Sequence, residues 1–174
     1  MSASIRTGFV LAVAALGCAG LFARGAAASE PAFLAVSAGW YDINDDQQAA
    51  EFRAELRAPE SWKLWVFTPM AGFMATTDGA TYTYGGLGLD IFFGKRFVLT
   101  PSFAVGAYTD GGGKDLGHVI EFRSAIELAY RFDDRSRLGL SFYHLSNAGL
   151  DDNNPGTEVL SLTYALPLDR VFGR

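Results

Sequence analysis

The sequence predicts an all-β chain, an eight-stranded antiparallel transmembrane β-barrel of the outer membrane. Three observations predict it. Apolar and charged residues alternate at period two over lengths that suit tilted membrane strands. About eight such stretches follow one another, joined by turns that alternate between tight and long. Outside the N-terminal leader, no segment holds the roughly 20 consecutive apolar residues that a spanning helix needs.

The leader comes first. Arg6 supplies a positive start, Thr7 to Phe22 is apolar, and small residues gather at Ala26-Ala27-Ala28 before Ser29. That is the pattern of a secretory signal peptide over residues 1–28, too short and wrongly flanked for a spanning helix. It leaves residues 29–174 as a single barrel domain. Cys18 is the only cysteine and lies inside the apolar stretch, with Ala15 rather than Leu three residues before it. The mature chain therefore lacks cysteine, which excludes disulfides and thiol chemistry. Removing the leader takes Arg6 and Arg24 and no acid, so 12 Lys+Arg stand against 19 Asp+Glu, a formal charge of −7. An acidic chain without a basic face excludes nucleic acid as a partner.

Alternation is clearest from His118 to Phe132. Even positions read His, Ile, Phe, Ser, Ile, Leu, Tyr, Phe, while Glu121, Arg123, Glu127 and Arg131 lie at odd ones. Glu51, Arg53, Glu55 and Arg57 repeat the pattern against Phe52, Ala54 and Leu56. A soluble sandwich would bury the apolar face and expose the charges, and alternation alone cannot choose between the two. Strand length and the leader favour a barrel whose polar lumen holds the Glu/Arg pairs.

The strands are expected near 33–41, 48–58, 62–75, 80–93, 96–108, 117–132, 136–146 and 157–168. Tight turns fall at Pro59-Glu60-Ser61, Gly94-Lys95 and Asp133-Asp134-Arg135, and longer loops at Thr109–Gly117 and Asn147–Gly156. Short periplasmic turns and long outer loops are usual in such barrels, so both termini should be periplasmic and the 147–156 loop outside. Trp40, Tyr41, Trp62, Trp65, Tyr82 and Tyr84 lie near strand ends and suit interfacial girdles. Gly111-Gly112-Gly113 has neither a following helix nor a Lys-Ser/Thr pair, so it is a loop tip rather than a phosphate cradle.

Candidate chemistry lies in the last hairpin. His144 is one of two histidines, and Ser146 follows two residues later. In a strand, i and i+2 share a face about 6–7 Å apart. The same parity continues back through Phe142, Leu140 and Leu138, a lipid-facing row. Glu158, Leu160, Leu162 and Tyr164 form the matching row in the next strand. Pairing 144 with 158 also pairs Phe142 with Leu160 and Leu140 with Leu162. Adjacent strands lie about 5 Å apart, so His144, Ser146 and Glu158 can meet on the outer wall. Such a cluster serves either a hydrolase, with Ser146 as nucleophile, His144 as base and Glu158 as orienting acid, or merely a polar ring where strands leave the bilayer. No G-x-S-x-G elbow is present. His118 has no serine and acid in register and is taken as an interface residue.

This hairpin resembles the outer-membrane lipid A 3-O-deacylases, also called acyloxyacyl hydrolases. HLSNAG at 144–149 and NNPGTE at 153–158 carry the resemblance. Elsewhere the likeness is one of plan, a signal peptide and about eight strands. The resemblance implies that Ser146 is the nucleophile, His144 the base and Glu158 its partner. Asn154 and backbone N–H groups near Ala148 and Gly149 would form the oxyanion hole. It implies hydrolysis of the 3-hydroxyacyl ester at position 3 of lipid A, without cofactor or metal, by a site facing the outer leaflet. Lipopolysaccharide and the outer membrane would be its partners, and a homodimer stays open. Lys114, Arg96 and Arg137, or divalent cations arriving with the lipid, are the groups offered to its phosphates. Two other classes remain: a non-enzymatic small barrel, and an esterase acting on glycerophospholipids. The chain departs from the usual barrel ending, with Phe172 followed by Gly173 and Arg174.

Overall fold

A computed structural model describes residues 30–171; the expected leader at 1–28 and the Phe172–Arg174 ending lie outside them. The strands are β1 (Phe33–Tyr41), β2 (Ala49–Arg57), β3 (Thr68–Thr76), β4 (Thr81–Gly88), β5 (Ile91–Phe93), β6 (Phe97–Thr109), β7 (Ile120–Arg131), β8 (Arg137–Ser146) and β9 (Thr157–Pro167). Each pairs antiparallel with its neighbours, β4 pairs β6, and β1 pairs β9, so the sheet closes on itself. The wall is an eight-stranded barrel. Short β5 is an extra piece that pairs only with the start of β6.

Two expected segments are shorter than the alternation suggested. Residues 62–67 do not extend β3. Glu60–Trp62 forms a 3-10 turn, and a Leu64–Phe67 bridge then closes a tip with Trp65 at φ 62°. The 80–93 stretch divides at Leu89-Asp90, because the Asp90 carboxylate accepts hydrogen bonds from Thr100 Oγ1 at 2.8 Å and Arg137 Nη1 at 2.9 Å.

The two faces separate as their chemistry demands. Leu140, Phe142, Leu160, Leu162, Ile126 and Phe103 stand exposed on the outside. A continuous apolar band of this kind is stable against hydrocarbon rather than water. Inside, Glu51, Arg53, Glu55, Arg57, Glu121, Arg123 and Glu127 are all buried. Arg57 grips Glu127 through two bonds of 2.9 and 2.7 Å and Glu55 through one of 2.8 Å. Arg123 reaches Glu55 at 2.9 Å. Near the end bearing the termini, Arg137 joins Glu30 and Asp90, each at 2.9 Å.

Of the expected girdle aromatics, only the tryptophans are outside. Tyr41, Tyr82 and Tyr84 are corrections: they point inward and are almost wholly buried, with hydroxyls held by Tyr108, the Glu121 carbonyl and the Glu55 carboxylate. Gly72 makes room for this packing, since a Cβ there would meet Tyr84 Cζ at 2.5 Å. A polar plug thus fills the lumen, with most of its charges paired because an unpaired buried ion is far costlier; Glu121, whose two carboxylate oxygens have no partner among the described residues, is the exception. Glu127→Ala leaves Arg57 with one carboxylate and should lower unfolding free energy by about 3 kcal/mol. Urea titration in lipid vesicles, followed by tryptophan emission, would reveal this; an unchanged midpoint would mean that the Arg57–Glu127 pair adds no stability.

Candidate active site

β8 and β9 bring His144 and Glu158 together in the register expected of them, while Ser146 makes no hydrogen bond to either among the described residues. His144 pairs with Glu158, Phe142 with Leu160 and Leu140 with Leu162. His144 Nδ1 lies 3.0 Å from Glu158 Oε1, their side chains 42% and 30% exposed on the barrel's outer wall. A carboxylate can only accept, so Nδ1 carries the proton in this pair, and in a neutral ring the lone pair is then on Nε2. Ser146 ends β8 on the same face, opposite Phe122 of β7. One step beyond the last β8–β9 pair, Gly156 stands level with Ser146. The His144 ring rests against Gly156, where a Cβ would meet Cε1 at 2.8 Å and Nε2 at 3.4 Å. The Cε1–Nε2 edge is therefore turned toward Gly156, while Nδ1 faces Glu158.

The loop after Ser146 is organised by Asn147, which is fully buried. Its Nδ2 donates to Leu116 O at 3.0 Å and Asn153 O at 2.8 Å, and its Oδ1 accepts the Gly149 N–H at 2.9 Å. Its backbone N–H donates to Asn154 Oδ1 at 3.1 Å, which leaves the Asn154 Nδ2 as that side chain's donor. Ala148 and Gly149 both have left-handed backbones, φ 55° and 83°. The Gly149 N–H is thus engaged, whereas the Ala148 N–H has no partner among the described residues. Asn147 and Gly156 lie inside the two motifs, yet spacing alone gives neither a role.

The cations offered to phosphate are placed otherwise, a further correction. Lys114 is buried, with Nζ 2.7 Å from Asp42 and 3.0 Å from Asp45. Desolvation alone would lower its pKa, but the bonds to those two aspartates outweigh that and hold it above the ordinary lysine value. Arg137 is inside the lumen, and Arg96 pairs with Asp133 at the far end. The four loops at the site's end, 42–48, 77–80, 110–119 and 147–156, hold eight aspartates and Lys114 as their one Lys or Arg. His118 precedes β7, its Nδ1 accepting the Ile120 N–H at 2.9 Å.

Beside the site, the outer wall carries an apolar groove of about 650 Å³ lined by Phe67, Gly85, Leu87, Phe103, Val105 and Ser124, among others. Ser124 is the register partner of His144, so the groove begins one strand from the imidazole.

A model of the lipid A 3-O-deacylase (PagL) family matches residues 46–167. The chain belongs to that family. Lipid A deacylase PagL of Bordetella bronchiseptica is 32% identical over 73 residues, and the match spans 41% of each chain, less than half of that relative. Among solved structures, the outer membrane enzyme PagL superposes with a TM-score of 0.62 at 21% identity, covering 78% of this chain and 99% of that one. Neisserial surface protein A gives 0.55 at 8% identity, covering 81% and 99%. A de novo designed transmembrane β-barrel gives 0.56 at 10% identity, covering 80% and 98%. The barrel is thus of the outer-membrane type, a fold shared by proteins of unlike function.

Proposed function

We propose that this chain is a lipid A 3-O-deacylase whose Ser146, His144 and Glu158 cleave the 3-hydroxyacyl ester at position 3 from the lipid-facing wall. The observation that carries this is the 3.0 Å His144–Glu158 pair on the outside of the barrel, in the row below Ser146. A polar pair beside hydrocarbon is unfavourable unless it has work there. Ser146 Oγ attacks the ester carbonyl as His144 Nε2 takes its proton. The oxyanion is met by Asn154 Nδ2 and the Ala148 N–H. Collapse expels the sugar hydroxyl, which receives its proton from His144. Water, deprotonated by His144, then releases the 3-hydroxy fatty acid and restores Ser146. With residues 1–28 as export leader and the termini in the periplasm, the site meets the outer leaflet, where lipid A lies. The groove starting at Ser124 takes the apolar chain.

The deciding experiment is mass spectrometry of lipid A from cells making either the wild-type chain or Ser146→Ala, with membrane insertion checked in both. Loss of one 3-hydroxyacyl mass with the wild type alone is expected. The same loss with both would move the nucleophile elsewhere, and no loss with inserted wild type would sink the activity.

The groove gives a second prediction. A Cβ on Gly85 would meet only the Met70 carbonyl, at 3.9 Å, so Gly85→Phe fills the groove without disturbing the wall. Hydrolysis of long-chain esters should fall about tenfold and that of short-chain esters should not. Equal rates across a chain-length series would empty the groove of its role.

One observation favours a second reading, an esterase of glycerophospholipids. The rim around the site is acidic and its lysine is already paired. Fatty-acid release from phospholipid vesicles free of lipopolysaccharide would mark that activity.

A further inference from the structure

We propose that Lys114 is a positioning residue for the ester-cleaving centre, acting through Asp42 to fix the start of β9; this rests on the reading of Ser146, His144 and Glu158 above. The corner at Asp42-Ile43 holds β9 twice. Asp42 Oδ1 accepts the Thr157 hydroxyl at 2.9 Å, and the Ile43 N–H donates to the Glu158 carbonyl at 3.1 Å. The residue carrying the carboxylate and the one before it are therefore gripped from a loop more than a hundred residues earlier in the chain.

That corner is not a relaxed turn. Asp42 is fully buried and has a left-handed backbone at φ 57°, which a non-glycine residue keeps only where its surroundings enforce it. Lys114 supplies the enforcement. Its ammonium closes on the same Oδ1 at 2.7 Å and on Asp45 at 3.0 Å, while Asp42 Oδ2 accepts the Gln47 N–H at 3.1 Å. Lys114 is itself anchored to the barrel: its carbonyl accepts the Tyr108 hydroxyl at 2.7 Å, and Tyr108 bonds Tyr41 at 2.9 Å. A buried ammonium already committed to two carboxylates is poorly placed to meet an incoming phosphate. Its effect passes instead along Asp42, Thr157 and Glu158 to the imidazole.

Loosening this brace should let Glu158 drift from Nδ1, which weakens the chemical step and not the apolar contacts that hold the lipid. The test compares wild type, Lys114→Met, Lys114→Arg and Thr157→Val on two substrates, phosphorylated lipid A and a neutral single-chain chromogenic ester in the same detergent. The compact band in unboiled gels reports the folded fraction. Lys114→Met should lose about tenfold or more in kcat on both substrates, with KM within about twofold. Lys114→Arg, still able to reach Asp42, should regain most of it. Thr157→Val removes a single hydroxyl and should give a smaller loss of the same kind. A loss confined to lipid A would make Lys114 a phosphate contact and overturn the proposal. So would unchanged kcat in Lys114→Met, or losses that only track the unfolded fraction. If Lys114→Met fails to fold, unchanged kcat in Thr157→Val overturns it. Ser146→Ala is run alongside: activity surviving there defeats the site reading itself, whatever Lys114 does.

Discussion

Glu158→Gln is expected to lower kcat about a thousandfold, with KM for the ester within about threefold. The wild-type carboxylate accepts from Nδ1 at 3.0 Å and so, in the proposed mechanism, fixes the tautomer that leaves Nε2 free to take the Ser146 proton. A glutamine amide can donate to Nδ1 instead, which places the imidazole proton on Nε2 and removes the base. The imidazolium formed during attack also loses its counter-charge. In buried triads this change costs about ten-thousandfold. Glu158 is 30% exposed, so water replaces part of what the carboxylate does, and the smaller figure follows. Steady-state hydrolysis of a chromogenic ester in detergent micelles measures it. Activity within tenfold of wild type would take Glu158 out of the catalytic unit.

The hairpin was legible because strand parity is strict. Once Leu138, Leu140 and Phe142 are read as lipid-facing, His144 and Ser146 must share their face, and matching the apolar rows forces 144 onto 158. The charged lumen was legible for the same reason, from Glu51 to Arg57 and from Glu121 to Glu127. Parity failed where two faces look alike. In β4, Tyr82 and Tyr84 alternate with threonines, and the larger rings suggest lipid; the lumen takes them because their hydroxyls have partners there. The end of the expected 62–75 strand nearest its turn was misread because exposed Trp62, Leu64 and Trp65 are as apolar as a membrane strand. Lys114 was misread because its partner Asp42 lies 72 residues away, and no local spacing reveals a long-range ion pair.

Gly156→Ala is expected to cost about a hundredfold in kcat while the barrel still inserts. Two effects combine at this position. Its φ of 66° suits glycine, and alanine there adds about 1 kcal/mol of backbone strain. The second effect is local to the imidazole: the new methyl would lie 2.8 Å from His144 Cε1, closer than any real contact. Because the same Cβ also lies 3.2 Å from Leu145 O, which is backbone, the ring is what must move. Gly94→Ala separates the two effects. Gly94 has almost the same φ, 64°, with nothing within 4 Å of an added Cβ, in the far turn between β5 and β6. Both variants should lose similar stability, yet only Gly156→Ala should lose turnover. Matching activities in the two would mean that the imidazole is not seated by the bare backbone at Gly156.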